Sequence, residues 1–242
     1  MNTVGKLIIA IVILVILYTL YSWYFKGDAS TTIISGPVVA EQTSQKDYGP
    51  SVSNILTSQY SFSIWIYITD WSYRIGEQKI IYSRKDGAGN VGPELVLGAT
   101  DNTLTAIVDT DSGPTYCQVT QVPIQTWVNV ILVLNQQALD VYIDGKLTRT
   151  CVLGGPANVQ QAPGNGLWVC PPSTDTPGAS TGGKGFDGYI SSFRAFPYPL
   201  NPREAYEIYR EGHVGVSMNI FNKYRVKLAF LKDNREMGSF EI

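Results

Sequence analysis

Few residues in this chain are of the types, and at the spacings, that covalent chemistry needs. Hydrolysis of a sugar bond takes two carboxyl groups flanking it. Asp140 and Asp144 lie on one strand, but Asp144 is used by a turn, and both read as solvated strand residues. His213 is the single histidine, with no second imidazole and no matching cysteine pair, so zinc is not expected and a solvent-facing position after a helix is. The three cysteines, Cys117, Cys151 and Cys170, match no metal motif. Cys117 and Cys151 sit in strands on either side of a central hairpin and can bridge, leaving Cys170 free, which would imply an oxidising compartment; three buried thiols are the alternative. No catalytic residue and no cofactor is expected. Binding chemistry remains: Trp71, Tyr73, Trp168 and Tyr198 are candidate glycan contacts, each offering an apolar ring face to a sugar.

The C-terminal segment 213–242 is the other candidate for binding. Lys223, Tyr224, Arg225, Lys227, Phe230 and Lys232 alternate basic with apolar side chains, as in a strand. Such a basic tail or extra strand suits the edge of a neighbouring sheet or anionic lipid heads. The chain as a whole has 18 basic and 20 acidic residues, which argues against nucleic acid as a partner.

The elements that must position these residues are strands. In Trp127–Leu153, Val128, Val130, Leu132 and Leu134 alternate with a second set that is itself partly apolar, so this strand is covered on both faces. Leu139, Val141 and Ile143 follow on a strand buried on one face. Asp144-Gly145 is a type I′ hairpin signal, and Lys146–Val152 returns. Further strands are expected at 60–69, 79–84, 94–99, 104–109, 115–120, 167–170 and 186–196. A short helix starts after the N-cap Asn201 with Pro202 in its first turn and ends at Gly212. The fold class is all-β: a two-sheet antiparallel jelly-roll sandwich with one short C-terminal helix.

Leu7 to Phe25 is 19 residues without a charge, bracketed by Lys6 and Lys26. As a helix it would span about 28 Å, close to a bilayer's hydrocarbon core. Tyr18, Tyr21, Trp23, Tyr24 and Phe25 crowd its C-terminal end as interfacial aromatics do. The run is too long for a cleaved signal peptide. The organisation expected is a short N-terminal segment at 1–6 on the cytoplasmic side, a transmembrane helix at 7–25, a linker or extended arm at 26–51, the jelly roll at 52–212 and the tail at 213–242.

The order of pieces resembles the laminin-G-like, concanavalin A-like jelly roll. It is carried by FSIWIYI (62–68), WVNVILVLNQQALDVYIDGKL (127–147), GYISSFRAF (188–196) and PLNPREAYEIY (199–209). Hydrolytic members carry Glu-x-Asp-x-x-Glu on one strand, and no such run exists here. Members often hold one Ca²⁺ at a loop edge, which makes Asp101, Asp109 and Asp111 the calcium candidates. The anchor, TRTCVL (148–153) and NKYRVKLAFLKDN (222–234) are similar to membrane-anchored laminin-G-like proteins of large double-stranded DNA viruses. That likeness implies a non-enzymatic, virion-associated minor capsid protein between inner membrane and capsid shell, with the lipid bilayer and capsid proteins as partners. A membrane-bound, lectin-like attachment module is the alternative, and a glycoside hydrolase the third reading.

Overall fold

A computed structural model describes residues 12–18, 30–42, 48–52, 55, 58–158, 166–171, 185–214, 227–232 and 235–241. The chain divides into two units, Met1–Ser30 and Thr31–Ile242. In the first, residues 12–18 form helix α1, exposed along its whole length. Among the described residues no helix is long and apolar enough to cross a membrane. Both ends of the expected span, Leu7 and Phe25, lie outside them.

The second unit is a sandwich of two antiparallel sheets. The larger has the order β1 (Thr31–Ile34), β12 (Asp187–Phe196), β3 (Gln59–Asp70), β8 (Trp127–Asn135), β9 (Ala138–Ile143), β10 (Lys146–Val152), with β2 (Val38–Val39) also pairing with β12. The smaller runs β11 (Gly166–Val169), β4 (Lys79–Lys85), β5 (Val91–Leu97), β6 (Leu104–Thr110), β7 (Gly113–Val119). The period-2 pattern explains the layering. Phe62, Ile64, Ile66 and Ile68 of β3 meet Val128, Val130, Leu132 and Leu134 of β8 on the inner face. Leu95, Leu97, Leu104, Ala106 and Val108 face them from the smaller sheet.

The Asp144-Gly145 turn is present, with both residues at positive φ (49° and 71°). Helix α2 (Pro202–Glu211) opens with a capping box: the Asn201 side chain accepts from the Glu204 amide, and the Glu204 carboxylate accepts from the Asn201 amide. α2 covers the outer face of the larger sheet, where Leu200, Ala205 and Ile208 bury Ile131, Val133, Tyr142 and Phe196. Gly145 packs so closely under α2 that a Cβ there would lie 3.0 Å from the Tyr206 Cα. Cys117 and Cys151 form a disulfide joining β7 to β10, the edge strands of the two sheets. Cys170 is buried and lies outside this disulfide.

The stretch expected to be a linker, 26–51, differs. β1 and β2 pair with β12, and Gly49–Val52 is a 3-10 turn with Val52 fully buried. β1 is four residues, half of them threonine, β2 is only Val38-Val39, and both pair with a strand far along the chain, so local alternation does not mark them. In the tail, β13 (Lys227–Lys232) and β14 (Arg235–Glu241) form an antiparallel two-stranded sheet. It sets Lys227 opposite Glu241, Phe230 opposite Gly238 and Lys232 opposite Arg235. Lys223, Tyr224 and Arg225 lie outside the described residues.

Candidate functional site

One end of the sandwich collects the features that a site needs. β3, β5, β7 and β11 finish there, and β4, β6, β8 and β12 begin there. Its loops are tied by backbone hydrogen bonds: Gly76 to the Ala99 carbonyl (2.9 Å), Val122 to Asn102 (3.0 Å) and Gln125 to Ile68 (2.7 Å). Four non-glycine residues in these loops, Arg74, Gln121, Gln125 and Cys170, are held at positive φ. Such local strain gathers where structure is over-determined by its surroundings, often at functional loops.

Two arrangements meet at this end. The first is a terrace of rings on the outer face of the larger sheet, beyond the reach of α2. Cross-strand register sets Tyr189, Tyr67 and Trp127 in one row over β12, β3 and β8. Their centroids are 6.3 Å (Tyr189–Tyr67) and 5.6 Å (Tyr67–Trp127) apart. Tyr189 is 43% exposed, and Tyr67 and Trp127 are half-buried. Two features of β12 build the row. Gly188 lies where a Cβ would come within 1.9 Å of the Tyr67 carbonyl oxygen, so only glycine lets β12 approach β3. A bulge at Ser191 and Ser192 then turns both hydroxyls onto the His213 carbonyl. This pins the chain leaving α2 and lays the His213 imidazole on Trp127, with centroids 4.4 Å apart and planes at 11°. His213 is therefore half-buried in a ring stack rather than solvent-facing, because the bulge serines hold its backbone. Beneath the terrace, Asn129 is fully buried and donates to Ser63 Oγ (3.3 Å) and the Ile64 carbonyl (3.4 Å).

The second arrangement is a polar corner in the β3–β4 loop. Lys79 Nζ lies 5.1 Å from the Trp71 ring centroid and donates to the Glu77 carbonyl (3.3 Å). Arg74 pairs with Glu77 at 2.8 Å and donates to the Gly185 carbonyl at 3.5 Å. Burial, then the neighbouring Arg74 charge, hold the Lys79 ammonium below its usual pKa, with Glu77 opposing. The Trp71 indole N–H is buried and meets no acceptor.

Of the four candidate glycan contacts, Trp71 and Tyr73 lie in this loop. Trp168 is on β11, the edge of the smaller sheet, and Tyr198 packs on Phe196 under α2. The four do not form one surface. Tyr67, Trp127 and Tyr189 do, and their alternation on the second face of their strands was the signal for them. The calcium candidates are separated by a strand. Asp101 precedes β6, where it accepts from the Thr103 amide, while Asp109 and Asp111 lie at the far end. Seven residues of strand put about 20 Å between them. Asp109 instead accepts from the Val91 amide (2.7 Å). Among the described residues no three His, Cys, Asp or Glu side chains converge. Asp140 accepts from Thr150 and Asp144 from the Asn129 amide. Asp70 and Asp187 are cross-strand neighbours at the site's rim, but Ser72 hydrogen bonds hold the Asp70 carboxyl below its usual pKa. That is opposite to the raised value a general acid needs.

Two antiparallel sheets with aromatic side chains and tied loops at one end define a jelly-roll sandwich of the lectin type. The chain belongs to the concanavalin A-like lectin/glucanases superfamily, which residues 43–205 match. No curated protein sequence matches it. Among solved structures it is similar to the binding domain of botulinum neurotoxin serotype D/C VPI 5993 (15% identity, TM-score 0.52, covering 75% of this chain and 46% of that one). It is also similar to botulinum neurotoxin type C, whose way into cells is dependent upon interaction with two ganglioside molecules (17%, 0.52, 75% and 42%). A third is the binding domain of botulinum neurotoxin DC in complex with rat synaptotagmin II (15%, 0.50, 75% and 42%). The chain spans less than half the length of these relatives, and at such identities the likeness is one of fold.

Proposed function

We propose that this chain is a non-enzymatic, lectin-like binding module whose β3–β8–β12 end takes a saccharide, and that its apolar 7–25 segment holds it at a membrane. The observation that carries the binding role is the Tyr189–Tyr67–Trp127 row, left outside the helix-covered core and presented at a loop-rich end. Sugar rings stack their apolar C–H faces on such aromatics while hydroxyls take polar partners around them. The relatives whose descriptions name ganglioside molecules and synaptotagmin II support a binding rather than a hydrolytic use of the fold. α1, exposed along its length, supports the membrane segment.

The test is a glycan array probed with the full chain in detergent, followed by titration of the best ligand. Tyr189→Ala and Tyr67→Ala are expected to weaken binding roughly 5- to 10-fold each, as loss of one stacking partner does. An array with no saccharide bound, or affinities untouched by both changes, would refute the reading.

A further inference from the structure

The terrace accounts for the rings but not for the charge beside it. Two cations, Arg74 and Lys79, lie within electrostatic reach of one another and share a single carboxylate, Glu77. Lys79 is only 2% exposed, yet its ammonium, with three protons to donate, has one hydrogen-bond acceptor and the face of an indole. The Trp71 N–H next to it has no acceptor at all. A buried donor left without a partner costs about 1–3 kcal/mol, and a buried net charge more.

The same strand shows how this fold treats a cation that is purely structural. Arg84, fully buried, donates to the Ile55 and Gly92 carbonyls and sits over the Tyr60 ring. Lys79 has one carbonyl, that of Glu77, and the Trp71 face. The loop that holds the corner is nonetheless tightly made. Arg74 is at φ 51°, Gly76 at φ 88°, and amides of Ile75 and Glu77 close turns onto Ser72 and Arg74. Ser72, Ile75, Gly76 and Gln78, which border it, are exposed.

We infer that the Trp71–Arg74–Lys79 corner is a carboxylate-binding subsite, and that the saccharide taken at this end is an acidic one bearing a carboxylate. This rests on the saccharide-binding reading and narrows it. Among the described residues the corner holds two cations and one glutamate, and a carboxylate carries the single negative charge that balances them. Its two oxygens offer acceptors to the indole N–H and the ammonium together, and charge-assisted bonds of this kind are the stronger class. A hydroxyl leaves the charge unmatched, and a phosphate dianion overshoots it.

The experiment compares four polymers on the full chain in detergent: a polyuronate, the same polymer after reduction of its carboxyl groups to alcohols, a neutral dextran, and dextran sulfate. The polyuronate is expected to bind at least about tenfold more tightly than its reduced form, the worth of one charge-assisted hydrogen bond. Lys79→Gln is expected to abolish that preference and Lys79→Arg to keep most of it. The wild-type comparison stands even where a variant fails to fold. Equal affinity for the polyuronate and its reduced form overturns the subsite while leaving the saccharide reading intact. So does binding that follows sulfate rather than carboxylate. Absence of binding to every polymer and to the glycan array overturns both.

Discussion

Arg84 and Lys79 stand five residues apart on one strand, both inaccessible to solvent, and the fold handles them in opposite ways. Arg84 faces the inner core, where backbone carbonyls and an aromatic face surround its guanidinium. Its charge is an internal clamp between the 55 region, the start of β5 and β3. Lys79 is at the β4 terminus, under Trp71, with most of its hydrogen-bonding capacity unspent. Burial lowers the pKa of both; at Arg84 Tyr60 opposes it, and at Lys79 the Arg74 charge adds to it while Glu77 opposes. The difference separates a charge kept for stability from one kept for a ligand. Charge alone, or burial alone, does not distinguish them; the inventory of acceptors does.

The contrast breaks first at Arg84. Arg84→Met removes the guanidinium and orphans two buried carbonyls, so unfolding free energy should drop by about 2–5 kcal/mol, read from urea midpoints. A loss below about 1 kcal/mol would mean that Arg84 is no clamp. The next effect is alkaline. Burial raises the Tyr60 and Tyr82 phenols above their ordinary value. The unfolded chain therefore sheds those protons first, near pH 10, while the folded one keeps them. The tyrosine contribution to stability should be level below that pH and fall as pH rises through it. Tyr60→Phe with Tyr82→Phe should flatten the decline in pH-dependent denaturation curves; an unchanged slope assigns it elsewhere. The smallest effect is the most telling. Lys79→Met removes an uncompensated charge, so without ligand the protein should be unchanged or gain up to about 1 kcal/mol in the same assay. Its chain should also lose the gentle rise in stability that a depressed lysine gives as pH climbs towards about 10.5. A loss of several kcal/mol would make Lys79 a structural cation like Arg84 and dissolve the contrast.

Most of the sandwich was legible in the sequence because its central strands are self-describing. Phe62–Ile68 alternates, Val128–Leu134 reads as a strand covered on both faces, Asp144-Gly145 admits one turn, and Asn201-Pro202 with Glu204 spells a helix start. β1 and β2 were not legible, since strands of four and two residues take their shape from β12, over a hundred residues away. The site was legible in composition and not in arrangement. Alternation within β3 sets Tyr67 on the face opposite Ile66 and Ile68, but how far α2 reaches along that face depends on where the chain turns at Pro197–Asn201. His213 illustrates the same limit. Its position follows from a β-bulge twenty residues earlier, which no local pattern announces. Lys79 and Trp71 were legible as residues, and their juxtaposition was not.

The Cys117–Cys151 bond has a mechanical consequence. It stitches one long margin of the sandwich, where β7 and β10 run side by side. Among the described residues the opposite margin is closed without a covalent bond, by the Tyr48 amide on the Leu167 carbonyl and the Gly49–Val52 turn lodged between β1 and β11. The two sheets are thus hinged like a clam, with a covalent spine and a latch of ordinary contacts, and any partial opening of the oxidised protein starts at the latch and leaves the spine shut.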